Sequence, residues 1–210
     1  MPIVYGETLF MSHSIEPHVV LKVHPPTTNE QSKALGIAAV SQATIAYESS
    51  NEAMLSPYGF ISGGSPSIPS PDGKSLVAIV HYKVHGRQYM NHAILLEPQP
   101  PFRVTAISAK PLPLRCIARV PKFAANSSVC FASGLTFIAR GKEEEGEEER
   151  TTMVVSYGAG DSEAWVWTAP WQAAIGYLFG TAKKYSKDPG KNKQLGYTGP
   201  LVLDQNAVPF

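Results

Sequence analysis

The amino-acid sequence predicts an all-β fold of short antiparallel strands, and three features carry that prediction. The chain contains 17 glycines and 18 prolines among 210 residues, more chain-breaking residues than a helical bundle tolerates. Its apolar stretches are short, rich in β-branched side chains and bounded by turn residues, a pattern typical of strands. Only Trp171–Lys184 has the composition of a helix, and its internal glycines weaken that prediction. Because no helical segments separate the strands, the architecture is a propeller, a sandwich or a barrel.

The chain up to Tyr82 contains three predicted strands. Glu7–Ser12 (ETLFMS) and His18–His24 (HVVLKVH) alternate or run apolar, and Pro17 marks a turn between them. Ser75–Tyr82 (SLVAIVHY) is an apolar run that ends in polar residues. Their lengths and β-branched contents favour strands over helices.

Five more predicted strands follow, and consecutive ones are expected to form hairpins. Gln88–Glu97 and Phe102–Ser108 flank the stop EPQPP. Cys130–Ala139 precedes a run of glutamates, and Thr151–Tyr157 follows it. The glycine-bearing turn GAGDS then joins Thr151–Tyr157 to Ala164–Thr168, which predicts a β-hairpin.

The charge distribution predicts the domain organisation. The formal net charge is +1, which argues against electrostatic binding of nucleic acid. Six of the 17 acidic residues lie in the run KEEEGEEER, and mutual repulsion there predicts a mobile loop at 141–150. We expect one domain over residues 1–184, followed by a Lys/Gly/Pro-rich tail at 185–210.

The sequence predicts neither secretion nor a membrane span. The N-terminal segment lacks the basic and apolar regions of a signal peptide, and no window approaches the ~18 apolar residues of a membrane helix. A cytoplasmic, reducing location is the default expectation. Cys116 and Cys130 can form a single bridge, but not a disulfide framework or a four-ligand metal site. We expect no metal and no cofactor.

Polar residues that interrupt strands are the candidates for chemistry. His18 opens one strand, His81 closes another, His92 lies inside a third, and Asp161 lies in the GAGDS turn. Polar side chains on the innermost strands of a propeller line its central channel, so we expect these four to share one polar cleft. The alternative for each histidine is a hydrogen-bonded core position, and for Asp161 a turn that caps its own backbone.

Five strings carry a family resemblance, and they occur in order over Ser14–Val166: SIEPHVVL, SGGSPSI, LVAIVHYKVHGRQYMNHAILLEPQPPFRVTAIS, FASGLTFI and MVVSYGAGDSEAWV. Together they resemble the five-bladed β-propeller carbohydrate-active proteins. That group includes the β-mannoside phosphorylases and, more distantly, arabinanase- and levansucrase-like hydrolases. The resemblance is closer to uncharacterised propeller modules that are sometimes attached to glycosyltransferase domains.

The resemblance implies a glycan or sugar-phosphate site at the centre of a propeller. Asp161 would be the catalytic residue of a glycoside phosphorylase or hydrolase. Gly63, Gly64 and Ser65 would buttress the channel. The substrate-binding residues would be His18, His81, Tyr89, His92, Tyr157 and Arg103. Histidines and a carboxylate suit hydroxyl groups, and an aromatic ring suits an apolar sugar face.

The chain departs from the family pattern in length and in its acids. Five blades of ~40–50 residues need well over 200 residues, and the 210-residue chain without its acidic loop and tail is shorter than that, so the propeller is expected to be incomplete. A homo-oligomer, a partner chain or the tail would then cover the open edge.

The candidate acids are Glu16, Glu97, Asp161 and Glu163. Nothing in the sequence indicates that any two of them face each other, as glycoside cleavage requires. The alternative is a non-catalytic glycan-binding or scaffold module associated with a glycosyltransferase.

Overall fold

The computed structural model describes residues 1–24, 42–49, 61–84, 88–116, 129–140, 150–160 and 163–180. These ranges contain twelve strands and one helix. The strands are β1 (Pro2–Tyr5), β2 (Thr8–Ile15), β3 (His18–Val23), β4 (Ala43–Glu48), β5 (Ile61–Gly63), β6 (Ile68–Pro69), β7 (Leu76–Val84), β8 (Gln88–Leu96), β9 (Val104–Ile107), β10 (Cys130–Arg140), β11 (Arg150–Ala159) and β12 (Glu163–Pro170), and the helix is α1 (Trp171–Phe179).

The strands form three sheets, each built from strands that are consecutive in the chain. The first sheet has the order β1–β2–β3–β4, and the third has the order β10–β11–β12. The middle sheet has the order β5–β7–β8–β9, and β6 also pairs with β7. All pairings are antiparallel, which confirms the predicted all-β class. Within the described ranges the sheets close into neither a barrel nor a ring.

The middle sheet lies between the other two and is buried on both faces. Ala78 and Val80 of β7 pack in the core that this sheet shares with the first sheet. Val77 and Ile79 alternate with them and pack in the core shared with the third sheet. A strand buried on both sides needs an unbroken apolar run rather than an alternating one. The sequence LVAIV of β7 meets that need.

The segment between β5 and β6 contacts both neighbouring sheets. The backbone N–H of Ser67, just before β6, donates to the carbonyl oxygen of Pro2 in β1 at 3.2 Å. On the other side, a Cβ added to Gly64 would lie 2.6 Å from the carbonyl oxygen of Ala132 in β10. Only glycine allows that approach, because real Cβ contacts are not so short.

The segment GGSPS is a bulge between β5 and β6, and Ile79 of β7 holds it in place. The N–H groups of Gly64 and Ser65 both donate to the Ile79 carbonyl oxygen at 3.1 Å. In return, the hydroxyl oxygen of Ser65 accepts a hydrogen bond from the Ile79 N–H at 2.8 Å. The side chain thus replaces a backbone acceptor that the bulge removes.

The helix α1 covers part of the third sheet. Its buried residues Trp171, Ala174 and Leu178 pack in the core that contains the third sheet, and Trp171 meets the ring of Phe137 edge-on at 5.0 Å. The helix begins directly after β12 and ends at Phe179, earlier than predicted. In the part of the chain that the structure describes, no helix is long and apolar enough to cross a membrane.

A disulfide joins Cys116, which follows β9, to Cys130 at the start of β10. The two Cα atoms are 5.1 Å apart. The single bridge that the sequence left open therefore forms. It ties the segment leaving the middle sheet to the first strand of the third sheet.

All eight predicted strands are present, with ends that differ by a few residues. The four unpredicted strands are β1, β4, β5 and β6. Strand β11 begins at Arg150, the last residue of the predicted acidic loop. Residues 141–149 and the predicted tail at 185–210 lie outside the described residues.

Candidate functional site

The register of the β7–β8 ladder separates two of the predicted histidines. His81 pairs with Asn91, and His92 pairs with Val80. Because side chains alternate along a strand, His81 and Asn91 face the third sheet while His92 faces the first sheet. The two histidines therefore lie on opposite faces of the middle sheet, contrary to the expectation of one shared cleft.

His81 lies beneath a small group of aromatic rings. Its side chain is buried, with ring centroids 4.9 Å from Tyr89 of β8 and 5.1 Å from Phe131 of β10. Phe131 is 40% exposed and Tyr89 is half-buried. The Nζ atom of Lys83 lies 5.6 Å from the Tyr89 ring centroid. We call His81, Tyr89 and Phe131 the His81 cluster.

The imidazole of His81 is neutral at pH 7. Burial, and secondarily the positive charge of Lys83, lower the pKa of His81 below its usual 6.5. Its Nδ1 atom is buried and has no hydrogen-bond partner among the described residues. Buried polar atoms are almost always paired, but Nδ1 of His18 and Nε2 of His92 are also buried without a partner among the described residues. The exposed rings, rather than this nitrogen, therefore distinguish His81 from the other two histidines.

Asn91 fixes the position of β10 against the middle sheet. Its side-chain amide donates to the carbonyl oxygen of Cys130 at 3.0 Å. Its amide oxygen accepts a hydrogen bond from the N–H of Ala132 at 3.3 Å. The side chain therefore pairs with the edge of β10 much as a neighbouring strand does. Phe131, which lies between these two residues, is held next to His81 as a result.

His92 is enclosed on the other face. Its Nδ1–H donates to the carbonyl oxygen of Ser108 at 2.9 Å, and its ring lies 4.8 Å from that of Tyr82. Burial lowers the pKa of His92, and the hydrogen bond to Ser108 partly opposes that shift. Its Nε2 atom has no hydrogen-bond partner within the described ranges. The contacts of His92 are those of a core residue.

His18 lies in the first sheet, on the face turned towards the middle sheet. Its Nε2 atom is 3.2 Å from the hydroxyl of Ser12, and its ring meets Tyr47 edge-on at 5.9 Å. Burial lowers the pKa of His18 to about 4. Its backbone N–H donates to the hydroxyl of Ser49 at 2.9 Å, which holds β3 to the end of β4.

Two other predicted residues have structural contacts. Tyr157 is buried in the core of the third sheet, and its hydroxyl accepts a hydrogen bond from the N–H of Arg115 at 3.3 Å. Burial raises the pKa of Tyr157 above its usual 10. Arg103 lies in the surface ion pair with Glu97 at 3.5 Å and also stacks on Tyr47 at 5.7 Å. Neither residue contacts the His81 cluster through any of these interactions.

Asp161, the predicted catalytic residue, lies outside the described residues. The chain on either side of it is defined. Gly160 donates from its N–H to the carbonyl oxygen of Val129 at 2.8 Å, and Glu163 pairs with Ala159. The predicted hairpin between β11 and β12 is therefore confirmed.

The described carboxylates of the candidate set have contacts of their own. Glu97 binds Arg103, and Glu163 accepts the indole N–H of Trp165 at 2.8 Å. Glu16 lies in the turn between β2 and β3. No group of His, Cys, Asp or Glu side chains within the described ranges is arranged to hold a metal ion. The interactions that the His81 cluster can make with a ligand are therefore ring stacking and hydrogen bonding.

Sequence reasoning missed Asn91 and Phe131. Asn91 shares a strand face with Ala93 and Leu95, and an amide in an otherwise apolar row is the signal that was available. Phe131 belongs to the string FASGLTFI, but its exposure depends on β10 being an edge strand, which the sequence does not specify.

No family model, no curated protein and no solved structure matches the chain.

Proposed function

We propose that this chain is a glycan-binding module of the β-propeller type, and that the His81 cluster is its sugar-binding site. The observation that carries the proposal is the imidazole of His81 packed against the rings of Tyr89 and Phe131, of which Phe131 is 40% exposed. Exposed aromatic rings beside a polar side chain are typical of sites that stack on a sugar and hydrogen-bond its hydroxyl groups.

The sheet arrangement supports the propeller type. Propeller blades are antiparallel sheets of consecutive strands, arranged radially so that one edge strand of each blade is innermost. Here three such sheets follow one another, and the segment between β5 and β6 contacts β1 on one side and β10 on the other. The order of the resembling motifs, from Ser14 to Val166, gives the same assignment.

The chemistry of the His81 cluster favours neutral sugars. A neutral imidazole both donates and accepts hydrogen bonds, as sugar hydroxyls require, and an aromatic face covers the apolar C–H surface of a pyranose ring. Lys83, on the same strand face as His81, adds one positive charge beside Tyr89. That charge gives a sugar phosphate a second point of attachment.

Binding is a better match than catalysis for these residues. Glycoside cleavage requires a carboxylic acid and an opposing nucleophile or base about 5–10 Å from it. Glu97 pairs with Arg103, and Glu163 accepts a hydrogen bond from the indole N–H of Trp165; neither of these contacts involves the His81 cluster. We therefore propose a non-catalytic module.

Isothermal titration calorimetry tests the proposal with a panel of neutral oligosaccharides, mannose 1-phosphate and inorganic phosphate. We expect at least one oligosaccharide to bind. Phe131→Ala should weaken that binding about 5- to 20-fold, because losing one stacked ring costs about 1–2 kcal/mol. Ile138→Ala is the matched control, since Ile138 is an exposed apolar residue of the same strand.

Three outcomes separate the alternatives. Binding of phosphate alone would point to Lys83 and reject a sugar site. Equal losses in Phe131→Ala and Ile138→Ala would reject the His81 cluster as the location. Release of reducing sugar from an oligosaccharide by the wild-type protein would reject the non-catalytic proposal.

A further inference from the structure

Among the described residues, the outer face of the first sheet is apolar and exposed. The inner face of this sheet, with Ile3, Phe10 and Val20, packs in the core shared with the middle sheet. The residues that alternate with these point outwards, and several are well exposed: Val4 at 74%, Ile45 at 64% and Leu9 at 39%. Together they leave a large sheet face in contact with solvent.

The strand registers place these outward residues side by side. Val4 pairs with Leu9, Met11 with Leu21, and Leu21 in turn with Ile45. The outer face therefore presents continuous aliphatic rows across all four strands. Among the described residues of these rows, the one charged side chain is Glu48, at the end of β4. We call this surface the aliphatic face.

The outer face of the third sheet is mixed rather than continuously apolar. Thr136 and Thr168 flank Val154 in one row, and Ser156 is exposed in the next. Phe131 at 40% and Ile138 at 52% are also exposed on this face, but across the ladder they pair with Gly158 and Thr152. Soluble proteins tolerate isolated apolar residues of this kind but rarely expose a contiguous aliphatic face.

We infer that two copies of this chain pack their aliphatic faces against each other. A two-fold interface places the same patch on both partners, so the patch must be complementary to itself. A flat aliphatic face without charged rows meets that condition, because two such faces can pack like the sheets of a sandwich, about 10 Å apart. A head-to-tail contact would instead place the aliphatic face on the threonine-bearing face of the third sheet.

The size of the aliphatic face sets the strength of the dimer. Four strands about 4.8 Å apart and about six residues long cover roughly 400 Å² per copy. Two copies together bury about 800 Å², which is below the ~1,200–2,000 Å² of stable interfaces and within the range of transient ones. The dimer is therefore reversible, and its population depends on protein concentration.

Sedimentation velocity of the full chain over a 100-fold range of concentration tests this inference. The average mass should rise from the 22.7 kDa of one chain towards twice that value. Ile45→Lys should weaken the dimer at least tenfold, because it buries an unpaired charge in the interface. Ile138→Lys is the matched control, since it makes the same change on the outer face of the third sheet. If Ile45→Lys does not fold, as judged by circular dichroism, Ile45→Thr serves in its place.

Oxidation of Met11 by hydrogen peroxide reports on the same face. Met11 lies in the middle of the aliphatic face, whereas Met153 is fully buried in the other core and serves as an internal reference. Oxidation of Met11 should slow in step with dimer formation.

Three results would overturn the inference. If the chain remains a monomer at all concentrations and Met11 oxidises freely, the aliphatic face has no occupant. If Met11 is protected in a monomer, a segment of the same chain covers the face. If Ile45→Lys and Ile138→Lys weaken a dimer equally, the interface lies elsewhere. None of these results depends on glycan binding.

Discussion

The two faces of the middle sheet bury polar residues in different ways. On the face towards the first sheet, His92 is enclosed, hydrogen-bonded to the Ser108 carbonyl and packed on Tyr82. On the face towards the third sheet, Asn91 uses its amide to hold β10 in place. There, His81 lies beneath the rings of Tyr89 and Phe131, which reach the surface.

Strand alternation can therefore give neighbouring polar residues entirely different surroundings. Asn91 and His92 are consecutive, yet their side chains enter different layers. His81 and His92 look equivalent in the sequence, since each is a lone histidine in an apolar strand. Their partners differ because the layers they face differ.

Asn91→Leu should be the most destabilising change. The substitution keeps the approximate volume of the side chain but leaves the Cys130 carbonyl and the Ala132 N–H without their side-chain partner. An unpaired buried polar group costs about 1–3 kcal/mol, so the free energy of unfolding should fall by about 2–6 kcal/mol. Urea denaturation under non-reducing conditions, which preserve the disulfide, measures the change.

Thr105→Val is the control for Asn91→Leu. Thr105 also makes a side-chain hydrogen bond to a backbone carbonyl, that of Leu95, but it is solvent-exposed. Its removal should change the free energy of unfolding by less than about 0.5 kcal/mol. Equal effects of the two substitutions would show that Asn91 does not link the layers.

The fold was predictable wherever a strand carries its own pattern. Strands β2, β3 and β7 to β12 have apolar patterns that are long enough to be recognised alone. Strand β6 is only Ile68–Pro69, and pairing with β7 gives it strand geometry. Strands as short as β5 and β6 acquire their conformation from tertiary contacts, which no local sequence pattern encodes.

The candidate site was predictable in its residue types but not in its geometry. His81 and Tyr89 were both expected to bind ligand, and they do lie together. Which face His92 occupies depends on the β7–β8 register, which the intervening turn determines. The structure pairs Val84 with Gln88, so three residues connect the strands and His81 meets Asn91. One residue more or fewer in that turn would exchange the two faces of β8.

Acid should weaken the side of the molecule where the first and middle sheets meet. The pKa of His18 is about 4 in the folded chain because of burial, against ~6.5 in an unfolded chain. As the pH falls below about 6.5 the unfolded state binds a proton that the folded state does not. Stability is thus full above pH 6.5 and declines towards pH 4, by about 3 kcal/mol from His18 alone. The lowered pKa of His92 adds a loss in the same direction.

The pH dependence is best measured as a difference between wild type and His18→Leu. Carboxylates titrate in the same range, but they contribute equally to both proteins and cancel. The free energy of unfolding of the wild type, relative to that of the variant, should fall between pH 7 and pH 4. A difference that does not change with pH would mean that His18 is not buried in its neutral form.

The smallest effects on stability should come from making one substitution on each face, His81→Leu and His92→Leu. His92→Leu removes the hydrogen bond to the Ser108 carbonyl and should cost about 1–2 kcal/mol. His81→Leu removes a ring whose Nδ1 atom has no hydrogen-bond partner among the described residues. Because leucine is apolar and of similar size, the free energy of unfolding should change by less than about 0.5 kcal/mol.

Ligand binding should respond to the two substitutions in the opposite order. We expect His81→Leu to abolish the glycan binding measured by calorimetry and His92→Leu to leave it intact in the folded protein. If His81→Leu were instead the more destabilising change and left binding unaltered, His81 would be a core residue like His92, and the two faces of the middle sheet would not differ in function.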